Sequence, residues 1–447
     1  MLTFKAMLFA VIIGPTYYNA SEQILQANQL AEGIELRLDL IDPISDEEKA
    51  ELCKKTHLPL ILNSGEPIVS IRSGTENQTL CSYHHFEETP KDLSTLLASM
   101  MQRKTDVYKI ATLAHSTLDA LRMLKFVKEK TAEGIKICGI CMGERGQISR
   151  ILAPVFGSAI NYAVIDQPCA PGQLKLKELS EIYHYYALNQ DTAVYGLIGD
   201  PIVQSPSQMT HNAFFRKQGL NAVYVKMQLT KEELPAFFPL AKELGIRGLS
   251  VTIPLKEAVI PFLDEIDPLA MEIGAVNTIL FENGKLKGFN TDASGALDAI
   301  EAKLPVQDKK IVLLGAGGSA KAIAFEAKRR GALVTLLARR PEHAQSIRDV
   351  DLKKFEEVEA VFKDGYDILI NCTPEMSPVD PRFILEKTVI MDINTKHRDT
   401  PLLLEAQNKG CTIVYGYEMF MNQAIGQFKL WFRDLQNYEL DRTFFEN

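Results

Sequence analysis

The chain has 447 residues, of which 46% are apolar and 24% charged, and its formal net charge is −8. That length predicts two or three domains of ordinary globular composition. The acidic balance argues against a general nucleic-acid binder but leaves room for local basic pockets for small anions. No run approaches the ~18 apolar residues of a membrane span, so neither nucleic acid nor membrane is expected as a partner.

The first apolar run, "AMLFAVII", follows Lys5 and stops at Gly14-Pro15 without a small-x-small cleavage pattern. It is expected to be a buried strand rather than a signal peptide. Beyond it, short apolar runs alternate with helical patterns such as "SEQILQANQLAEG" and "TLDALRMLKFVKEKTAEG", the signature of βα units and parallel sheets. In "ELRLDL", period two puts Glu35, Arg37 and Asp39 on one strand face and the leucines on the other. "CSYHHFEETP" sets His84 at a strand end, with His85 facing the opposite way. The buried strand "DVYKIATLAH" carries Lys109 in its middle. A buried ammonium is costly unless it is paired or neutralised.

"IKICGICMG" holds Cys138 and Cys141 as C-x-x-C, but in an apolar run with no second ligand pair. They are expected to be buried strand cysteines, and no metal site is expected. Seven scattered cysteines without a framework suggest a reducing, cytoplasmic compartment. "MGERGQISR" then ends at Arg150 and "QPCAPGQ" at Gln173, and a polar stretch over 185–196 marks a domain join.

Past the join, polar clusters at 199–212, 248–256, 274–278 and 288–292 put Lys256, Asn277 and Asp292 at strand or turn ends, where clefts form. "KKIVLLGAGGSAKAIAFEAKRRGALVTLLARR" is strand, Gly-rich turn, helix, strand. Gly315, Gly317 and Ala320 form G-x-G-x-x-A, with Ala316, Gly318 and Ser319 completing a turn at which backbone approaches a pyrophosphate. The second strand ends in Ala338-Arg339-Arg340 rather than in an acid. Arginine there suits a 2′-phosphate, so NADP is the expected cofactor.

Together these clusters resemble the shikimate dehydrogenase family over about residues 193–435. The family's S-x-S-P-x-x-H-N corresponds to Ser205-Pro206-Ser207-Gln208 with His211-Asn212, and its N-V-T-x-P-x-K to Ser250 through Lys256. G-A-V-N-T and N-T-D-x-x-G stand intact at 274–278 and 290–295, and the late G-x-x-M-x-x-x-Q is Gly416, Met419 and Gln423. The resemblance implies a pocket of Ser205, Ser207, Thr252, Asn277 and Gln423 for shikimate, with Lys256 and Asp292 at the reacting carbon. It also implies a cofactor contact at Gly416. Gln208 stands for a proline, Ser250 for an asparagine, and 394–400 for a tyrosine-containing segment.

The first half resembles the type I 3-dehydroquinate dehydratase family over about residues 7–180. E-x-R-x-D is Glu35-Arg37-Asp39, S-x-H is Ser82 to His84, and K-I-A is Lys109 to Ala111. M-G-x-x-G-x-x-S-R runs from Met142 to Arg150, and S-A-P-G-Q is Cys169 to Gln173 with cysteine for serine. This resemblance implies a (β/α)₈ barrel in which Lys109 forms an imine with substrate and His84 moves the proton. Glu35, Arg37, Arg150 and Gln173 would bind carboxylate and hydroxyls. Between Lys55 and the His84 strand, however, the chain is too short for the family's two further βα units. An incomplete or rearranged barrel, with impaired activity, is therefore expected, with Arg72 either a substrate arginine after strand three or part of a helix.

The overall expectation is an α/β chain with four parts: a barrel over 1–189, a substrate-binding domain over 190–297, a Rossmann NADP domain over 298–415, and a C-terminal helix over 416–447 packing back on the substrate domain. It would dehydrate 3-dehydroquinate and then reduce 3-dehydroshikimate with NADPH. The alternative is a dehydrogenase alone, with the shortened barrel a non-catalytic module.

Overall fold

The alternating runs of the first half become eight strands: β1 (Met7–Ile12), β2 (Gly33–Arg37), β3 (Leu60–Asn63), β4 (Ile68–Ser73), β5 (Glu76–His85), β6 (Val107–Leu113), β7 (Ile137–Met142) and β8 (Ile160–Val164). The computed structural model describes residues 6–73, 76–345, 349–438 and 440. The helices here are α1 (Tyr17–Leu30), α2 (Asp46–Lys54), α3 (Leu93–Met100), α4 (Thr117–Ala132), α5 (Gln147–Ile151) and α6 (Leu176–Glu181). The first four start where Thr16, Ser45, Asp92 and Ser116 accept a first-turn N–H, which satisfies one of the donors a helix start leaves free.

The strands form one sheet in the order β7-β6-β5-β4-β3-β2-β1-β8. Its ends meet without ladder pairing among the described residues, and the Ala159 N–H donates to the Ile137 carbonyl across the seam at 2.7 Å. Of the two expectations, an incomplete barrel or a rearranged one, the structure has the second. The ring has eight strands; what is missing is two helices. Four residues separate β3 from β4 and two separate β4 from β5, whereas a parallel crossover needs a dozen or more. β4 therefore runs antiparallel to both neighbours, while the other ladders of the sheet are parallel. Inside the ring, Phe9, Val11, Ile61, Val69, Ile71, Leu80, Val107, Ile140, Ile160 and Val164 belong to one buried cluster.

The chain divides into two compact units, Met1–Leu197 with Ser207–Ile246, and Ile198–Pro206 with Arg247–Asn447. β9 (Ala193–Gly199) carries it out of the barrel region, and α7 (Ser207–Lys217), β10 (Ala222–Gln228) and α8 (Leu234–Leu244) return to the first unit. The Asn212 side chain accepts from Tyr224 N–H and donates to Tyr224 C=O, both at 2.8 Å, pinning α7 to β10. Lys125 on α4 pairs with Glu243 on α8 at 2.5 Å. This packing is why residues 207–246 group with the barrel rather than with the rest of the stretch 190–297.

The second unit holds β11 (Ile246–Val251), β12 (Glu265–Ile266), α9 (Pro268–Ile273), β13 (Thr278–Glu282), β14 (Lys285–Phe289) and α10 (Asp292–Glu301). A nucleotide-fold sheet follows: β15 (Lys310–Leu314), α11 (Gly318–Arg329), β16 (Leu333–Ala338), β17 (Asp351–Lys354), α12 (Val358–Lys363), β18 (Ile368–Asn371), β19 (Val389–Asp392), α13 (Pro401–Asn408) and β20 (Thr412–Tyr415). Its order is β17-β16-β15-β18-β19-β20, all parallel. β15 thus sits where the order reverses, the crevice at which such sheets bind ligands. The last helix, α14 (Gly416–Trp431), lies against β13, with Trp431 Nε1 donating to the Ile279 carbonyl at 3.3 Å.

The fit of α4 on β7 makes a test of the barrel wall. A Cβ on Gly139 would lie 2.4 Å from Val127 Cγ2 and 2.8 Å from Met123 Sδ. Gly139→Val is expected to destabilise the barrel by about 1–3 kcal/mol, read as an earlier unfolding midpoint in denaturant. An unchanged midpoint would show that α4 does not seat there.

Candidate active sites

Inside the barrel, one register level joins Ser82, Lys109 and Cys138 across β5, β6 and β7. Lys109 is 7% exposed and Glu35 only 3%. Lys109 Nζ stands 4.0 Å from Glu35 Oε1 and 3.9 Å from the centre of the Tyr162 ring. Both contacts attract an ammonium. Asn63, at the end of β3, donates to Glu35 Oε1 at 2.9 Å and fixes that carboxylate.

Arg150, on α5, is 3% exposed. It donates a long 3.4 Å bond to the Tyr162 carbonyl, its Nε has no partner, and no carboxylate pairs with it among the described residues. Burial pushes its guanidinium from 12.5 down to about 10. A buried cation without a counter-ion is a receptor for an anion. Gln173 folds its own loop: its Oε1 accepts from Cys169 N–H at 2.7 Å and Ala170 N–H at 3.0 Å. Arg37 is held by Asp39 in a two-pronged pair of 2.8 and 2.6 Å.

His84 stands exposed at the end of β5, stacked on Phe86 at 6.0 Å. Desolvation, then the Lys109 charge, lower its imidazole from 6.5 to about 4, against an opposing pull from Glu35. His85 uses its Nδ1 to accept the Glu88 N–H at 3.1 Å and stacks on Tyr83. Arg72 belongs to neither of its two sequence readings. It lies on β4 opposite Leu60, the first residue of β3, whereas Asn63 at the other end of β3 is level with Arg37. It is therefore at the barrel end away from the site. Cys138 shares the Lys109 level, while Cys141 sits 3.6 Å from the Thr112 hydroxyl. Burial raises both thiols to about 11, and neither forms a disulfide.

The second unit assembles its own cluster. Lys256, in the turn after β11, has its Nζ 2.5 Å from Asp292 Oδ2 and 3.3 Å from Ser319 Oγ. Asn277 Nδ2 lies 2.8 Å from Asp292 Oδ1, 2.9 Å from Thr291 Oγ1 and 3.4 Å from Gln423 Oε1. Ser250 donates to Gln427 Oε1 at 2.9 Å, and Gln427 reaches Thr278 Oγ1 at 3.1 Å. The serine that stands for an asparagine is thus absorbed by a glutamine on α14. Thr252 lies in the Lys256 turn, its carbonyl accepting the Leu255 N–H at 2.8 Å. Ser205 lies in the loop 198–206, and Ser207 begins α7 in the other unit.

The Gly-rich turn fits a dinucleotide. Gly315 has φ +105°, which only glycine adopts without strain. A Cβ on Gly317 would meet nothing within 4 Å, and one on Gly318 only Lys256 Cδ at 3.7 Å and Ala275 Cβ at 3.9 Å. Open space therefore covers the start of α11, whose first N–H groups lack helical acceptors. Arg339 and Arg340, after Ala338, are exposed with no ion pair among the described residues. Gly416 is buried, where a Cβ would lie 2.3 Å from the Asn394 carbonyl oxygen. It is thus seated on the segment 393–394.

Fold and clusters together define a two-unit α/β enzyme: a barrel that buries a lysine and an arginine without a carboxylate partner among the described residues, joined to a dinucleotide-binding unit whose lysine is paired to a carboxylate. Residues 62–190 match the type I 3-dehydroquinase family, and residues 197–279 the shikimate dehydrogenase substrate binding domain. A shikimate biosynthesis protein AroDE of Chlamydia pneumoniae is 34% identical over 96% of each chain. The chloroplastic bifunctional 3-dehydroquinate dehydratase/shikimate dehydrogenase of Arabidopsis thaliana is 35% identical over 79% of this chain and 63% of its own. A crystal structure of a shikimate dehydrogenase in complex with NADP+ covers 56% of this chain and 93% of its own, at 37% identity and a TM-score of 0.53. This chain belongs to the bifunctional 3-dehydroquinate dehydratase/shikimate dehydrogenase family.

Three contributors escaped the sequence reading. Tyr162 could have been found by period two in "INYAV", and Asn63 as the polar end of "LILN". Gln427 carries no local signal, since its partner Ser250 is 177 positions away.

The His84 shift sets a sign for stability. Its folded value lies below the unfolded 6.5, so as pH falls the unfolded chain takes the proton first. The contribution to folding is full above pH 6.5 and is lost towards about 4. His84→Asn is expected to flatten the pH dependence of unfolding in that window. An unaltered slope would remove His84 from the balance.

Proposed function

We propose that both halves are active: the barrel dehydrates 3-dehydroquinate to 3-dehydroshikimate, and the rest of the chain, from about 190, reduces that product to shikimate with NADPH. The observation that carries the barrel half is that one barrel buries both a lysine and an arginine, the arginine without a carboxylate partner among the described residues. The division of labour follows the boundaries above: barrel to 189, substrate binding over 190–297, nucleotide binding over 298–415, and α14 completing the substrate pocket. The seven free cysteines support a reducing compartment, and we place the enzyme in the cytoplasm. Among the described residues no helix is long and apolar enough to cross a membrane.

In the barrel, Arg150 takes the substrate carboxylate, and Glu35, Arg37 and Gln173 border the ring hydroxyls. Lys109 Nζ, as the free amine, adds to the C3 carbonyl. Loss of one water leaves the protonated imine. His84 takes the C2 proton, and the C–H electron pair moves into the imine. The pair then returns to expel the C1 hydroxyl, which leaves as water with the proton from His84. Hydrolysis frees Lys109, so the net change is loss of one water.

In the reductase half, NADPH, once bound, would supply the hydride needed at the C3 carbonyl. Ser205, Thr252, Asn277 and Gln423 hold the substrate. Lys256 delivers a proton to the carbonyl oxygen, and Asp292, fixed by Asn277, aims that ammonium. The turn Gly315 to Ser319 takes the pyrophosphate, Arg339 and Arg340 take the 2′-phosphate, and Gly416 keeps the segment 393–394 close.

Two substitutions separate the halves. Lys109→Ala is expected to abolish dehydration and borohydride trapping of 3-dehydroquinate while sparing reduction. Lys256→Ala is expected to lower reduction by about 10²–10⁴-fold while sparing dehydration. A wild-type chain that gives no borohydride adduct would make the barrel a non-catalytic module. Equal loss of both activities from either change would argue against separate sites.

A further inference from the structure

Three of the groups that the dehydratase reading uses come from consecutive parts of the barrel. His84 is near the end of β5, Lys109 lies within β6, and Arg150 follows β7. The loops after those strands are tied together. His115 Nε2 lies 2.5 Å from the Glu87 carbonyl, joining the β6 loop to the His84 loop. Ala114 N–H donates to the Met142 carbonyl at 3.0 Å, joining it to the end of β7. The Asp119 carboxylate accepts the N–H groups of His115 and Ser116 at 3.0 and 3.1 Å and pairs with Arg122. Arg122 in turn donates to the Thr89 and Pro90 carbonyls.

At the edge of this network stands a carboxylate from outside the barrel. Ser116, the N-cap of α4, donates its hydroxyl to Glu233 Oε1. Glu233 Oε2 accepts the Thr230 N–H at 2.7 Å and lies 3.7 Å from Arg145, on the turn between β7 and α5. Thr117 donates to the Gln228 carbonyl at 2.6 Å beside it. Residues 228–233 fall in the stretch matched by the shikimate dehydrogenase substrate binding domain.

We infer that Glu233, a residue of the reductase half, is a positioning residue for the dehydratase site, holding the loops after β6 and β7 in register. The inference rests on the dehydratase reading. Its physical ground is that catalytic groups misplaced by about 1 Å lose on the order of 10²-fold in rate, and Glu233 joins the two loops that lead from Lys109 and towards Arg150. The Glu233 to Ser116 bond is one of the ties that set their spacing.

The test uses the full chain and reads both activities from one preparation. Glu233→Ala is expected to lower dehydratase kcat/KM about tenfold, within the range that misplacement produces, with reductase kcat/KM within twofold. Glu233→Gln, which keeps an acceptor for Ser116, is expected to recover most of that loss. Ser116→Ala tests the contact from the barrel side where Glu233→Ala fails to fold, and the double variant should lose no more than the worse single one. Parallel loss of both activities with a lowered unfolding midpoint would mean a structural role only and overturn the proposal. So would dehydratase activity unchanged in Glu233→Ala. A wild-type chain with normal reduction and no dehydration overturns the dehydratase reading itself, and this inference with it.

Discussion

An ammonium 7% exposed inside a strand ring costs on the order of several kcal/mol unless its charge is answered. Here the answer comes from three other strands. Glu35 on β2 stands 4.0 Å away, and Asn63 on β3 holds that carboxylate in place. Tyr162 on β8 lays its ring under the same nitrogen. These residues meet only when the strands pair in one register: Val11 with Glu35, Glu35 with Ile61, Ser82 with Lys109, Lys109 with Cys138. A slip of one residue would turn Lys109 outwards and leave Glu35 facing apolar side chains. The register that closes the barrel and the register that builds the site are one constraint.

That constraint explains how the barrel tolerates an inverted strand. β4 contributes Val69 and Ile71 to the core and leaves Ile68, Ser70 and Arg72 exposed. An antiparallel strand can face water on its outer side, so the helices that would cover a parallel strand are dispensable there. β4 pairs on both edges, so no open edge results. Glu35, Asn63 and Tyr162 come from β2, β3 and β8, so the inversion leaves these polar neighbours of Lys109 on parallel strands.

How much of this was legible in the sequence depended on whether the signal was local. Period two placed Glu35, Arg37 and Asp39 on one face, and the lysine inside "DVYKIATLAH" announced itself by its cost. The Gly-rich turn was readable because its chemistry lies within six residues. Strand direction was not readable in the same way: "PIVSIRSG" alternates as a strand should, but its orientation is set by connection lengths on either side. The fate of Arg72 followed from that orientation, since a residue near the end of a reversed strand arrives at the opposite end of the barrel. Asn63, Tyr162 and Gln427 are held by partners distant in sequence, and pattern alone cannot pair them.

The two lysines differ in their distance from a carboxylate, and the proposed mechanism gives them two tasks. Lys256 is gripped by Asp292 at 2.5 Å and touches Ser319 at 3.3 Å, while Asn277 fixes the other oxygen of Asp292. That is the geometry of an oriented proton donor, its N–H directions set before substrate arrives. Lys109 makes no hydrogen bond from Nζ among the described residues, and its carboxylate stands at 4.0 Å, beyond hydrogen-bond reach. Its charge is answered but its nitrogen is not tied down. A nucleophile needs that freedom, because the lone pair must turn towards a carbonyl carbon without first breaking a strong bond. On the proposed mechanism, the 1.5 Å between the two separations sets the tasks apart: the shorter pair would hold an acid in place, and the longer one would leave an amine free to attack.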